Sequence, residues 1–130
     1  MSQMIVIRAG SIELRAELND TKTAAALREI LPIEGKANRW GDEIYFPIPL
    51  YLDIEGGKEV VEMGDLGYWP DGNSLCIFFG PTPASRKNEI RAASPVTIVG
   101  RVTDNPRVLK QVPQGSTVRI EQAKSADGGD

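Results

Sequence analysis

Residues 12–18 read Ile-Glu-Leu-Arg-Ala-Glu-Leu, an uninterrupted alternation of apolar and charged side chains. Successive side chains of a β-strand point to opposite faces, so this pattern is typical of a strand with one face in a core and the other in solvent. A second apolar stretch, residues 4–8, precedes it across Ala9-Gly10, a connection short enough for an antiparallel hairpin. The sequence therefore predicts a β-hairpin at the start of the chain.

Further strands are predicted downstream by the same alternation and by short apolar runs. They cover residues 43–46, 59–62, 75–79, 96–103, 108–112 and 117–122. Turn-forming sequences separate them, namely Glu55-Gly56-Gly57, Pro70-Asp71-Gly72-Asn73, Asp104-Asn105-Pro106 and Pro113-Gln114-Gly115. About eight short strands with a turn roughly every dozen residues indicate a mainly β protein, either a barrel or a sandwich.

One segment has helical period instead. Between Ala24 and Leu31 the apolar side chains recur on a single helical stripe. Asp20 or Thr21 can accept hydrogen bonds from the free amides of a first turn, and Pro32 ends a helix because it has no N–H. We therefore predict one main helix near residues 21–31 that covers an open end of the sheet.

Composition favours one soluble domain. The chain has 130 residues, of which 41% are hydrophobic and 25% charged, and its formal net charge is -3. We predict a single domain over residues 1–124 and a small, polar tail at residues 125–130. A net negative charge disfavours nucleic acid and anionic membranes as partners.

Two residue types limit the chemistry. The chain has no histidine and one cysteine, so His-dependent triads and His/Cys zinc sites cannot be assembled within it, and we expect no metal and no cofactor. Cys76 cannot form an internal disulfide, and its apolar surroundings in sequence indicate an inert core residue. The first residues lack a basic segment followed by a long apolar one, so we expect a cytoplasmic protein.

Aromatic side chains supply the candidate site. Seven of them fall in three short clusters, at residues 40–46, 68–69 and 78–79. On a strand, Glu43 and Tyr45 face the side opposite Ile44 and Phe46, so one pair packs inward and the other lines an outer surface. That surface could bind a ligand, although core and rim packing is the alternative interpretation.

Acidic residues and a proline-rich loop are further candidates. The carboxylates of Asp42, Glu43, Glu62 and Asp65 could form an acid/base pair or a hard-metal site only if the fold brings them together, and otherwise they are solvated. The sequence Pro81-Thr82-Pro83 predicts a rigid loop that borders a pocket.

Several blocks together resemble the small prokaryotic cyclophilin-like domain family. They are residues 16–21 (AELNDT), 31–32 (LP), 40–46 (WGDEIYF), 64–70 (GDLGYWP), 78–83 (FFGPTP), 90–96 (IRAASPV) and 99–102 (VGRV). The match spans roughly residues 4 to 122. The resemblance implies a closed eight-stranded β-barrel capped by one or two short helices, similar to the fold of the cyclophilin peptidyl-prolyl isomerases.

The isomerase residues themselves are not matched. Cyclophilins carry an arginine in a Phe-His-Arg strand, whereas the similar segment here, residues 43–47, contains none. They also use a histidine and a tryptophan after a Gln-Phe-Phe strand, and here Phe79 is followed by Gly80-Pro81-Thr82-Pro83. Of these positions only Phe79 carries over, so we expect no efficient prolyl isomerase activity.

The main hypothesis is a cleft that binds an unknown small molecule or peptide. Its predicted lining is Arg39, Glu43, Tyr45, Tyr68, Trp69 and Phe79, and no catalytic residue is identified. One alternative is an enzyme, either a residual prolyl isomerase or one using Glu43 with Tyr45 or Arg39. Another is a homo-oligomer in which the same aromatic patch is the subunit interface.

Overall fold

The computed structural model describes residues 3–123, and the tail predicted at residues 125–130 lies outside that range. The strands are β1 (Gln3–Ala9), β2 (Ile12–Leu18), β3 (Ile33–Lys36), β4 (Asn38–Arg39), β5 (Glu43–Pro47), β6 (Lys58–Val61), β7 (Asp65–Trp69), β8 (Ser74–Phe78), β9 (Ile90–Val102) and β10 (Thr117–Gln122). One α-helix, α1 (Lys22–Glu29), and two 3-10 helices, Pro70–Gly72 and Pro106–Gln111, complete the fold. The prediction of a mainly β protein is confirmed.

Antiparallel pairing joins nine of these strands in the order β3-β10-β1-β2-β9-β7-β8-β5-β4, and β6 pairs separately with β9. The predicted opening hairpin is present, with Ile7 opposite Leu14. The long strand β9 pairs with three other strands, β2, β6 and β7. It thereby connects the opening hairpin to the strands that carry the aromatic residues.

The sheet is not closed by hydrogen bonds among the residues described. Its end strands, β3 and β4, are unpaired with each other, so the expected closed eight-stranded barrel is instead an open path of strands. Side-chain packing brings the two ends together: a Cβ placed on Gly35 of β3 would lie 2.8 Å from the ring of Phe46 in β5. An aromatic ring therefore occupies the space beside β3.

The main core lies inside the curved sheet. Ile5, Ile7, Leu14 and Phe46 are among its fully or almost fully buried side chains, and Leu27 of α1 packs into it. This arrangement explains the alternation of the first hairpin, because every second side chain of β1 and β2 enters the same core.

Helix α1 is shorter than the prediction of residues 21–31. Its N-cap is Thr21, whose hydroxyl accepts a hydrogen bond from the Ala24 amide at 3.0 Å. Ile30 and Leu31 lie beyond its end, yet both still pack against the main core. The predicted apolar stripe therefore packs against the main core as far as Leu31, whereas the helix itself ends at Glu29.

Within the described residues, no helix has the length and apolar character needed to cross a bilayer.

One predicted strand was wrong, and three observed strands were not predicted. Residues 108–112 were expected to form a strand, but the 3-10 helix Pro106–Gln111 occupies most of them, with the Asn105 side chain accepting from the amide of Arg107 at 3.1 Å. Leu109 and Val112 are both buried and lie three residues apart, the period of a 3-10 helix. Strands β3, β4 and β7 were not predicted, and β7 ends at Trp69, directly before the predicted turn at residues 70–73.

Candidate functional site

The outer face of β5, β8 and β7 carries a second, smaller apolar cluster. Cross-strand register aligns Tyr45 with Cys76, and Cys76 with Gly67. Trp69 lies two residues after Gly67, and therefore on the same face of β7, opposite Ser74. This face is covered in part by β9 and β6, whose buried side chains pack against Cys76 and the other members of the cluster.

A cavity of about 200 Å³ opens in this cluster, and we call it the Glu43 cleft. Its lining consists of Trp40, Glu43, Tyr45, Trp69, Cys76, Ala92, Ala93 and Val96. Three of these residues are aromatic and half-buried, one is an acid, and none is basic. The cleft is therefore an apolar space with a carboxyl group in its wall.

Small residues allow the strands to approach and leave room beside the rings. A Cβ on Gly67 would lie 2.8 Å from Cγ2 of Val96, so glycine lets Val96 of β9 pack directly on β7. Ala92 and Ala93 of β9 also line the cleft, and neither side chain extends beyond a methyl group. Side chains this short take little of the space beside the aromatic rings of the lining.

Two aromatic rings meet at nearly a right angle in the cleft. The ring centroids of Tyr45 and Trp69 are 5.9 Å apart with planes inclined at 78°, the edge-to-face arrangement that aromatic pairs prefer. The indole N–H of Trp69 donates to Oγ of Ser94 at 2.6 Å, and Ser94 donates to Oδ2 of Asp71 at 2.8 Å. This chain fixes the orientation of Trp69 and engages its N–H outside the cleft.

Trp40 is positioned by the turn between β4 and β5. Its amide donates to the Glu43 carbonyl at 3.0 Å. Gly41 has φ of +62°, and a Cβ there would lie 2.9 Å from Cα of Thr82, so this position needs glycine. The predicted rim loop at Pro81-Thr82-Pro83 therefore supports the turn behind Trp40, and none of its three residues lines the cleft.

Glu43 is the chemically distinctive group of the cleft. The residue is 5% exposed, and its Oε1 atom has no hydrogen-bond partner among the described residues. Burial raises the pKa of the Glu43 carboxyl to about 7, an effect that a hydrogen bond with the Cys76 thiol partly offsets. Burial and the neighbouring Glu43 raise the pKa of Cys76 well above its ordinary value, so this thiol stays protonated at neutral pH.

Of the six residues predicted to line a site, Glu43, Tyr45 and Trp69 meet in the cleft, whereas Arg39, Tyr68 and Phe79 lie elsewhere. Tyr68 is 1% exposed and its hydroxyl donates to the Leu50 carbonyl at 2.6 Å inside the main core. It precedes Trp69 on β7, and strand alternation sends the two rings to opposite faces.

Phe79 is also buried in the main core, where Arg39 covers it. The guanidinium carbon of Arg39 lies 5.1 Å from the centre of the Phe79 ring, within cation–π range. Nη1 of the same arginine donates to the Val112 carbonyl at 2.8 Å. Arg39 is thus held on the other side of the β4–β5 turn from the cleft.

The four acidic candidates separate in the fold. Asp42 approaches Arg39 at 3.5 Å, while Asp65 and Glu62 share Arg101 at 3.2 and 3.4 Å. Glu43 joins neither set. No group of three or more potential metal-ligating side chains occurs in the part of the chain described, so the hypothesis of a hard-metal site among these carboxylates has no support.

Five lining residues were not among the predicted six. They are Trp40, Cys76, Ala92, Ala93 and Val96. Trp40 lies three residues before Glu43 in the same aromatic cluster of the sequence, and this proximity could have identified it as a lining residue. The contribution of β9 could not be inferred from local pattern, because it depends on which strand pairs with β7.

A larger hollow of about 500 Å³ lies beside β2 and β9, lined mostly by polar residues that include Asp65 and Arg101. Nε of Arg101 already pairs with Oδ1 of Asp65 at 3.2 Å. We therefore place the candidate site in the Glu43 cleft, where a buried polar atom lacks a partner.

Comparisons with known proteins place this geometry in a family. The family model described as cyclophilin-like matches residues 3–121. A solved structure, the solution structure of the hypothetical protein AF2241 from Archaeoglobus fulgidus, is 41% identical, with a TM-score of 0.79 over 94% of this chain and 95% of that one. No curated protein matches the chain. The family match covers nearly the whole length and agrees with the resemblance in sequence, and the chain belongs to the cyclophilin-like family.

Proposed function

We propose that this cyclophilin-like domain binds a small molecule, or one side chain of a peptide, in the Glu43 cleft. The observation that carries the proposal is the unpartnered Oε1 of the buried Glu43 in the wall of an aromatic cavity. Buried polar groups are nearly always hydrogen-bonded, and an exception in a concave site is a place where a ligand can supply the missing partner.

The size of the cleft limits the ligand. Pockets for drug-sized molecules usually measure about 300–1,000 Å³, and the cleft offers about 200 Å³. A compact molecule or a single side chain fits that space, whereas a folded partner would contact only its rim.

We further propose that the domain lacks efficient prolyl isomerase activity. No basic residue lines the cleft, and Arg39 is engaged by the Val112 carbonyl and the Phe79 ring. Loss of a single transition-state donor commonly reduces a rate by about a hundred- to a thousandfold. A protease-coupled proline assay tests this directly, and turnover at the rates of cyclophilins would contradict it.

Intrinsic fluorescence is a direct test of binding. The two tryptophans of the chain, Trp40 and Trp69, both line the cleft, so their emission reports on its occupant. In a screen of small fragments, we expect ligands that shift this emission and perturb the indole N–H signal of Trp69 in NMR spectra.

Tyr45→Ala is the variant that tests the site, because it removes one aromatic wall and keeps both tryptophans. We expect ligand binding to weaken by about 1–3 kcal/mol, the range for a packed aromatic anchor. Tyr51→Ala is the matched control, since Tyr51 is 75% exposed and outside the cleft lining. If Tyr45→Ala instead unfolds the domain at a cost of about 3–5 kcal/mol, Tyr45 is a core residue and the site assignment fails.

A further inference from the structure

Resting on the proposed function, we propose a chemical class for the ligand: a small primary or secondary alkylammonium ion. Its N–H group donates to the Glu43 carboxylate, and its alkyl part lies among the rings of Trp40, Tyr45 and Trp69. The proposal stands on the unpartnered acceptor, the charge of the lining, the aromatic walls and the volume of the cleft.

The charge of the lining selects a cation. Glu43 is an acid buried to 5% exposure, and the lining contains no lysine or arginine to balance it. A buried carboxylate without a cation is costly, so a positively charged ligand gains more here than it would at a solvated acid. Asp71, linked to Trp69 through Ser94, adds a second negative charge near the aromatic corner.

The aromatic walls favour the same ligand class. Cations are attracted to the electron-rich faces of aromatic rings, most strongly those of tryptophan, and this attraction increases when the site is desolvated. The near-perpendicular rings of Tyr45 and Trp69 form two sides of a corner, and Trp40 lines the same space. Apolar methyl groups of Ala92, Ala93 and Val96 complete a surface suited to an alkyl chain.

The unpartnered oxygen decides between types of ammonium. Oε1 of Glu43 needs a hydrogen-bond donor. A primary or secondary ammonium supplies an N–H, whereas a quaternary ammonium supplies charge alone. The volume of about 200 Å³ restricts the alkyl group to a short one.

Binding of such a cation depends on pH in a defined direction. The ammonium stays protonated through the neutral range, while the carboxyl of Glu43, with a pKa of about 7 in the free protein, must ionise. The affinity therefore rises about tenfold per pH unit below that pKa and levels off above it. The groups that face Glu43 are the Cys76 thiol from β8, Tyr45 from its own strand and the non-titrating side chains of β9, while neighbouring Asp42 pairs with Arg39 and Lys110.

Three probes of similar size separate the contributions. We would titrate the whole chain with n-butylammonium, with 1-butanol and with tetramethylammonium, following tryptophan emission and the Trp69 indole signal at several pH values. We expect n-butylammonium to bind most tightly, with the pH profile described above. Glu43→Gln, which keeps the side-chain shape, should weaken its binding at least about tenfold and remove the pH dependence.

Glu62→Gln is the matched control, because its carboxylate is exposed and outside the cleft, and thermal unfolding of each variant establishes that it is folded. Equal binding of 1-butanol and n-butylammonium, or a wild-type affinity that does not change with pH, overturns the cation proposal and leaves the proposed binding function standing. If other fragments bind and n-butylammonium does not, the cation proposal is likewise overturned and the proposed binding function stands. If no fragment of any class occupies the cleft, the proposed function itself fails.

Discussion

Glu43 and Asp65 are two carboxylates at equal depth with opposite surroundings. They are 5% and 4% exposed, and each is the first residue of a strand that flanks β8. Glu43 pairs with Phe78 of β8, and Gly64, which precedes Asp65, donates its amide to the Phe78 carbonyl at 2.7 Å. The two acids thus begin the strands on either side of the same residue.

Their hydrogen bonds differ. Asp65 accepts from the Glu62 amide at 2.8 Å through one oxygen and from Nε of Arg101 at 3.2 Å through the other. Glu43 faces a thiol and aromatic rings, and its Oε1 has no partner among the described residues. Charge-assisted hydrogen bonds stabilise the ionised form of a buried acid, whereas the desolvation of Glu43 by burial raises its pKa. Depth of burial alone therefore does not separate a structural carboxylate from a candidate binding group.

The largest effect is expected at Asp65. Asp65→Ala removes the acceptor of a backbone amide and of Arg101, so we expect the free energy of unfolding to fall by about 3 kcal/mol. Urea denaturation followed by circular dichroism measures it. The control Glu62→Gln removes the exposed contact of Arg101 and should cost less than about 0.5 kcal/mol. Equal effects of the two variants would mean that the buried hydrogen bonds of Asp65 add little.

Glu43→Gln is expected to have the opposite sign. The pKa of Glu43 rises from 4.5 to about 7 in the folded protein, so the folded state keeps this proton over a pH range in which the unfolded chain has lost it. The contribution of Glu43 to stability therefore falls as the pH rises through that window and is constant above it.

The difference between wild type and Glu43→Gln isolates this contribution. At about 1.36 kcal/mol for each tenfold change in the acid constant, the maximum is roughly 3 kcal/mol. We expect the variant to be more stable than wild type by about 2 kcal/mol near pH 8 and less stable by about 1 kcal/mol near pH 4, because the buried amide lacks hydrogen bonds at both pH values. Denaturant titrations across that range measure it, and a destabilised variant at the higher pH would falsify the account of Glu43.

A smaller effect on stability is expected from Ser94, which accepts the hydrogen bond of the Trp69 indole N–H. Ser94→Ala removes the acceptor of the Trp69 indole N–H, so we expect a loss of about 1 kcal/mol in stability and a change in tryptophan emission. Asp71→Asn, which keeps an acceptor for Ser94, is the matched control and should leave the emission nearly unchanged. No spectral change in Ser94→Ala would show that packing against Tyr45 alone orients Trp69.

Strand alternation in the sequence predicts which side chains of one strand share a face. It predicted the first hairpin, and it placed Glu43 and Tyr45 on the face opposite Ile44 and Phe46, as the structure has them. It was wrong for residues 108–112, where the buried Leu109 and Val112 lie three residues apart, which is the period of a 3-10 helix and not of a strand. The ligand-binding role of the six predicted residues stays a prediction.

The sequence by itself determined which segments alternate, that α1 begins at Asp20 or Thr21, and which chemistry is excluded by the lack of histidine. The tertiary structure alone decided which faces meet. It sent Tyr68 and Phe79 to the main core, brought Ala92 and Val96 of β9 opposite the rings, and gave Asp65 its partners while giving Glu43 none for its Oε1. The physical reason is that hydrogen-bond satisfaction and desolvation depend on neighbours from distant strands, and strand order is set by the packing of the whole sheet.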